Sequence, residues 1–514
     1  MPASRPPEMP NEMLQPNGSL APERMAMAAP RRAVALDALR GASILLMVLT
    51  ANVPWNLPLG VERWLVHAQT PPPSHVFNPA LPGINGIDLV FPFFVFCLGA
   101  ATPLALTRRL EAGAPVWRIV ADTLWRGLLL ALFAFYIPHV RPWELSGDPT
   151  RLAWVRAMVA YAALFPVFLR LPRKWPALMR FGVRTGGWIA CIGFVVTARF
   201  EDGSGPLPAG AAVLPRVDSV IWTLSNVAVA TALVWLVTRR RRGVRLALIA
   251  ALAAIHLCGG VGWVHAAWSW TPGAPAAFWS HATRLPWLWR NEYLEMLMIA
   301  LPGSLAGERL LIRMRNDGAG AASAWSRSRR MALAAIALLL TGVCIWGLFT
   351  RHVATAALGS ALLGLAGWRL SIGAATGAEA LLAWLFRSGL AWLAVGLALE
   401  PLEGGIKKEP ATLSFYLVTA GLAALCLMAL TVASQTAALR RPLAWLGGAG
   451  QNPMMAYLGF SNVVQPALIL AGVTAFVNMR APSPWAQLAY AVAGAALMAA
   501  LVAGCSRRGI IWRA

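Results

Sequence analysis

Apolar residues in this chain gather into runs of roughly eighteen to twenty-four, each about long enough to cross a bilayer core as a helix. The runs fall near residues 36–53, 87–107, 119–138, 152–170, 185–198, 219–237, 244–263, 291–311, 331–350, 352–370, 379–399, 412–433, 452–473 and 485–505. The stretch from Leu89 to Leu106 carries no charged residue. Inside lipid a backbone must satisfy its own N–H and C=O groups, and a helix does so alone. The pattern predicts an all-α, polytopic transmembrane helical bundle with about 12–14 spans. Residues 31–514 read as a single transmembrane domain, with no internal repeat and no separate soluble domain. Residues 1–30, rich in Pro, Met and polar side chains, read as a disordered cytoplasmic tail.

Charge orients the bundle. The basic residues cluster in alternate loops: Arg31, Arg32 and Arg40, then Arg108, Arg109 and Arg118, then Arg170 to Arg184 and Arg239 to Arg245. The series continues with Arg309 to Arg330, Arg440 with Arg441, and Arg507 with Arg508. Positive loops stay inside, so both termini are expected in the cytoplasm, with the chain in a bacterial inner membrane. The net charge of +23 belongs to this placement and does not point to nucleic acid. Six cysteines lie in or at the ends of apolar runs without a CxxC pair, which excludes a disulfide framework and a thiolate metal site. A Walker loop, HExxH and GxSxG are all absent, so neither ATP-driven transport nor zinc-protease or serine-hydrolase chemistry is supported. Tryptophans such as Trp268, Trp270, Trp279, Trp287 and Trp289 suit an interfacial belt, with stacking on a sugar as a second use.

Candidate chemistry concentrates in the outer loop before the second span, from His67-Ala68-Gln69 through Pro71-Pro72-Pro73-Ser74-His75 to Asn85 and Asp88. A neutral imidazole beside a carboxylate is the usual general base near neutral pH, and prolines limit the cost of holding it in place. Solvated loop histidines are the plainer alternative. Asp88 suits an N-cap or a partner that orients an imidazole. Asp37 with Arg40, and Asp122 with Arg126, have the spacing of ion pairs on one helix face. A cation within a span needs protein, a water-filled cavity or an anionic ligand around it, so Arg126 is a candidate for the phosphates of a nucleotide-bearing donor. Lys407 and Lys408 form the one adjacent lysine pair in an outer loop, which suits an anionic substrate. Asn452 opens a late span, where an amide either bridges helices or meets a ligand.

Together, Leu36-Asp37-Ala38-Leu39-Arg40-Gly41 and Asp88-Leu89-Val90-Phe91-Pro92-Phe93-Phe94-Val95-Phe96-Cys97-Leu98-Gly99 form a recognisable pattern. It resembles the membrane acyltransferases typified by heparan-alpha-glucosaminide N-acetyltransferase, and within them a bacterial branch catalogued as a domain of unknown function. Later matches are Leu301-Pro302-Gly303 with Ala306-Gly307, Gly404-Gly405-Ile406-Lys407-Lys408 and Gln451-Asn452-Pro453-Met454. The resemblance implies acetyl-CoA or another acyl-CoA as cosubstrate from the cytoplasm, no bound cofactor, and a sugar or glycan acceptor on the far side. It implies a catalytic histidine in the first outer loop. Counted back from Asp88 without a gap, that position falls on Asn78, with His75 three residues earlier.

The expected function is acyl transfer to a periplasmic or envelope sugar. His75 would act as base or transient acyl acceptor, Asp88 would orient it, and Asn78 or Asn85 would stabilise the oxyanion. His67, Asn85, Lys407, Lys408 and Asn452 would contact the acceptor, and Arg126 the donor. No metal is expected, and assembly with further copies of the chain stays open. The alternative is a transporter or flippase for a polar glycan precursor, using the same cavity without chemistry.

Overall fold

The computed structural model describes residues 33–54, 57–172, 174–201, 216–259, 261–268, 291–316 and 324–512. The expected tail at 1–30 and most of the loops at 199–218 and 264–290, with Trp270, Trp279, Trp287 and Trp289, lie outside the described residues, while Trp268 lies within them and donates its indole N–H to Glu295 at 2.8 Å. Ala33–Ala514 forms one compact unit. In chain order its helices are α1 (Val34–Thr50), α2 (Leu59–Leu65), α3 (Val90–Glu111), α4 (Val116–Tyr136), α5 (Pro142–Leu145), α6 (Arg151–Phe168) and α7 (Ala177–Val196). There follow α8 (Ser219–Thr238), α9 (Arg242–Leu257), α10 (Gly262–Trp268), α11 (Glu292–Glu295), α12 (Leu297–Asn316), α13 (Arg327–Thr350) and α14 (Val353–Leu370). The last are α15 (Gly377–Leu399), α16 (Leu413–Ala433), α17 (Ala437–Gly450), α18 (Pro453–Gly459), α19 (Gln465–Leu470), α20 (Val473–Arg480) and α21 (Pro484–Arg507). Among the described residues β structure is limited to two isolated bridges, Leu169 with Trp512 and Lys408 with Ala411.

The chain is a multi-pass membrane protein. Ten described helical stretches are long and apolar enough to cross a bilayer, and α9 with α10 makes an eleventh if that bent pair is one span. The expected 12–14 counted further apolar runs beyond these. The four remaining apolar runs are helices too, but short or charged: α1 has 17 residues, α9 has 16, α7 carries Arg180 and Arg184, and α12 carries Glu308, Arg309, Arg313 and Arg315. The charge on α12 is sheltered. Glu308 accepts from the Trp235 indole at 3.0 Å and from Arg242 at 2.8 Å, and pairs with the fully buried Arg245. A charge inside a span is tolerable when paired within the bundle.

Small residues set the closest helix contacts. A Cβ at Gly99 of α3 would run into the Ala300 carbonyl of α12, and one at Gly303 into that of Phe96. The Leu-Pro-Gly…Ala-Gly motif thus brings two backbones together, which suits packing where no hydrophobic force separates helix from lipid. Arg40 bridges α1 to its neighbours, donating to the Cys97 carbonyl at 3.3 Å and the Gly450 carbonyl at 3.5 Å. Its expected partner Asp37 lies 3.6 Å away. α16 is apolar all round and almost wholly buried at the centre, as such a helix must be.

The described contacts separate two faces. On one, Arg329 bonds the carbonyl of Leu370, Arg330 bonds Gln435, and Leu169 meets Trp512. On the other, Arg351 pairs with Glu400 at 2.7 Å and Gln69 meets Glu409. These are the loops that charge assigns to opposite sides. We call the second the loop face.

Candidate functional site

The loop face is organised by one buried amide. Asn85 donates to the carbonyls of Val66 at 2.6 Å and Arg63 at 3.1 Å, while its Oδ1 accepts from Ile87 N at 3.0 Å. That clamp sets the end of α2 against the start of α3 and brings His67 onto Asp88. His67 Nδ1 lies 2.7 Å from Asp88 Oδ1. The other carboxylate oxygen accepts from the backbone N–H groups of Ala68 and Asn85, both at 3.2 Å. Asp88 is 2% exposed and His67 46%, so a fixed anion holds one edge of a ring whose other edge is accessible.

A second segment completes the site from far along the chain. Gln69 exchanges two bonds with the Glu409 backbone, at 2.6 and 2.9 Å, and Gly83 N donates to the Ile406 carbonyl at 2.7 Å. Gly404 and Gly405, with φ of 69° and 105°, turn this segment, and a Cβ on Gly405 would strike Pro82. Lys408 Nζ is delivered 3.2 Å from His67 Nδ1, 3.5 Å from Nε2 and 3.9 Å from Asp88 Oδ1. The structure therefore brings His67, Asp88 and Lys408 together.

Several expected placements are corrected. Asp88 orients His67, not His75: the Asn85 clamp delivers residue 67, and the chain then folds back through the prolines. His75 Nε2 lies 3.1 Å from Glu62 Oε1 of α2, with the carboxylate 2% exposed, and its backbone φ is 50°. Asp88 does not cap α3, whose N-cap is Leu89. Asn78 is exposed and closes a turn, its Oδ1 accepting from Ala80 N at 3.0 Å. Asn85 is fully buried with its amide bonded to backbone, which leaves no oxyanion donor there. Asn452 is likewise buried, donating to the Ile510 carbonyl at 2.7 Å and accepting from Trp512 N at 2.9 Å. Lys407 sits beside Lys408, half-buried, its N–H donating to Thr412 Oγ1 at 3.1 Å. Asp122 pairs with Arg109 of α3 rather than with Arg126.

Arg126 instead lines a cavity of about 470 Å³ among α1, α3, α4, α8 and α18. Its wall follows α3 from Phe94 to Leu106 and α8 from Val220 to Ala232, about 18 Å of helix at 1.5 Å per residue. Arg40 and Arg126 contribute charge to an otherwise mainly apolar lining, and His67 is not part of it. At the loop-face end Tyr457 donates to Asp218 Oδ2 at 2.9 Å, and Arg141 meets the same oxygen at 3.1 Å. Burial opposes the Arg141 charge, but Tyr457 and Asp218 more than offset it and hold its pKa above the ordinary arginine value.

The family described as a domain of unknown function, DUF5009, matches residues 32–310. The chain belongs to this family. It is also similar to human heparan-alpha-glucosaminide N-acetyltransferase, 30% identical over 142 residues, which is 27% of this chain and 19% of the human protein. The chain therefore spans about a fifth of that relative's length. Sequence reasoning missed Glu62, Gln69 and Trp512. Of these only Gln69 carried a signal, as the third residue of His67-Ala68-Gln69.

Proposed function

We propose that the chain transfers an acyl group from a CoA thioester to a sugar at the loop face, with His67 as general base. The observation that carries this reading is the 2.7 Å His67–Asp88 contact, flanked by Lys408, in a family member similar to an N-acetyltransferase. With Nδ1–H donated to Asp88, the lone pair on Nε2 faces outward and accepts the proton of the attacking amine or hydroxyl. That nucleophile bonds to the thioester carbonyl carbon, and the Lys408 ammonium is placed to meet the developing oxyanion. The C–S bond then breaks, and the imidazolium returns its proton to the departing thiolate. The donor enters the cavity from the face opposite the loops, where Arg40 and Arg126 meet its phosphates.

Incubating purified protein with labelled acetyl-CoA and candidate amino sugars tests the reaction. Label transfer that His67→Ala abolishes is the expected result, and its absence with every acceptor removes the reading. One observation favours a carrier as second reading: the cavity follows α3 and α8 inside the bundle without including His67. Transport of a glycan precursor unaffected by His67→Ala would select it. We also place both termini in the cytoplasm of a bacterium, on the alternation of basic loops. A C-terminal reporter active only outside the cytoplasm would overturn that placement.

A further inference from the structure

A further imidazole–carboxylate pair on the loop face has no part in the scheme above. Glu295, 5% exposed, lies 3.1 Å from His256 Nδ1 and accepts from the Trp268 indole and the Tyr416 hydroxyl, each at 2.8 Å. Groups on α9, α10 and α16 thus satisfy the carboxylate together, as a buried one requires. His256 continues the inward stripe of α9: Arg245, Ile249 and Leu252 are buried, and residue 256 is the next step on that face. With Nδ1 turned to Glu295, Nε2 has no hydrogen-bond partner among the described residues. It is not sealed within the protein, as Nε2 of His139 is, and the side chain keeps 18% exposure.

Two features tie this pair to the site of His67. α3 and α12 pack in parallel, with Gly303 against Phe96 and Gly307 against Ala100, and the same register sets Glu295 about level with Asp88. The segment that delivers Lys408 to His67 runs on into α16, where Tyr416 bonds Glu295. Packed helices stand about 8–10 Å apart, more than the separation of neighbouring hydroxyls on one sugar ring.

We propose that His256 is an acceptor-binding residue, whose Nε2 hydrogen-bonds a hydroxyl of the sugar unit next to the one that meets His67. A hydroxyl both donates and accepts, so it pairs with Nε2 whichever way the ring is protonated. The acceptor is then a glycan of at least two units. The inference rests on the acyl-transfer reading given above and deepens it.

Calorimetry on the full-length protein in detergent, with two probes, tests it. Glucosamine is a single unit; its β-1,4-linked dimer adds a second. The wild type should bind the dimer about tenfold more tightly, the weight of one hydrogen bond. His256→Phe keeps an aromatic ring and leaves Glu295 its bonds to Trp268 and Tyr416. It should remove the advantage, so that the dimer weakens about tenfold while glucosamine stays within about twofold. A wild type that binds both probes alike overturns the inference without any variant. Equal losses for both probes in His256→Phe, the mark of a merely structural bridge, overturn it too, as does a dimer advantage that survives the substitution. Each of these leaves the acyl-transfer reading standing. If the wild type binds neither probe the inference falls, and the labelled acetyl-CoA assay tells separately whether the acyl-transfer reading falls as well.

Discussion

Two histidines of one loop each meet a buried carboxylate, and the difference between them separates a reactive arrangement from a supporting one. His67 is nearly half exposed, and its aspartate is held by two backbone N–H groups. His75 is 11% exposed and folded back on Glu62, on a backbone with positive φ. A base needs a fixed partner on one nitrogen and an open path to the other. His67 meets both conditions, whereas His75 has the partner without the path. Lys408 stands beside the first pair. Proximity to a carboxylate is therefore a poor criterion alone, and exposure of the second nitrogen decides.

The comparison breaks most readily at His67. His67→Ala should lower acyl-transfer turnover by about 10²–10⁴-fold with folding intact, and His67→Gln should not restore it, because an amide takes no proton near neutral pH. Steady-state assay of both variants checks this. Asp88→Asn comes next, at about 10²-fold in turnover, since the ring loses the anion that fixes its tautomer. Lys408→Met should cost about tenfold in turnover, with a smaller change in acceptor KM if the ammonium serves the transition state. His75→Ala should leave turnover within about threefold, well under 1 kcal/mol in barrier. It should instead destabilise the fold by about 1–3 kcal/mol, because Glu62 keeps its burial and loses its partner. Thermal unfolding read beside turnover separates the two effects, and a collapse of turnover at His75 with His67→Ala active would invert the assignment.

Much of the fold was legible because lipid imposes a simple rule on every span. All fourteen apolar runs form helices, and the bonds between loops join those that charge places on one side. The site was legible in its parts but not in its pairing. His67, Asp88 and Lys408 could each be named from residue type and loop position. That Asp88 would hold His67 depends on Asn85 bonding carbonyls 19 and 22 residues away. Lys408 arrives from 341 residues downstream through Gln69 and two glycines. Sequence distance from Asp88 favoured His75, and tertiary bonding overrode it. Asn452 shows the converse: a polar residue opening a span looked available to ligand, and the C-terminal backbone occupies both ends of its amide.

The Arg40 bridge bears on how the protein is made. The carbonyl of Cys97 is synthesised soon after Arg40, but that of Gly450 follows 410 residues later. At about 5–20 residues per second the nascent chain waits roughly 20–80 s for it. For that interval the side of α1 that meets α17, where a Cβ on Gly41 would strike the Leu446 carbonyl, has no helix to receive it, and lipid or the insertion machinery must cover it. The amino-terminal helices are thus delivered to the membrane as an unfinished socket, and the carboxyl-terminal ones enter as its plug.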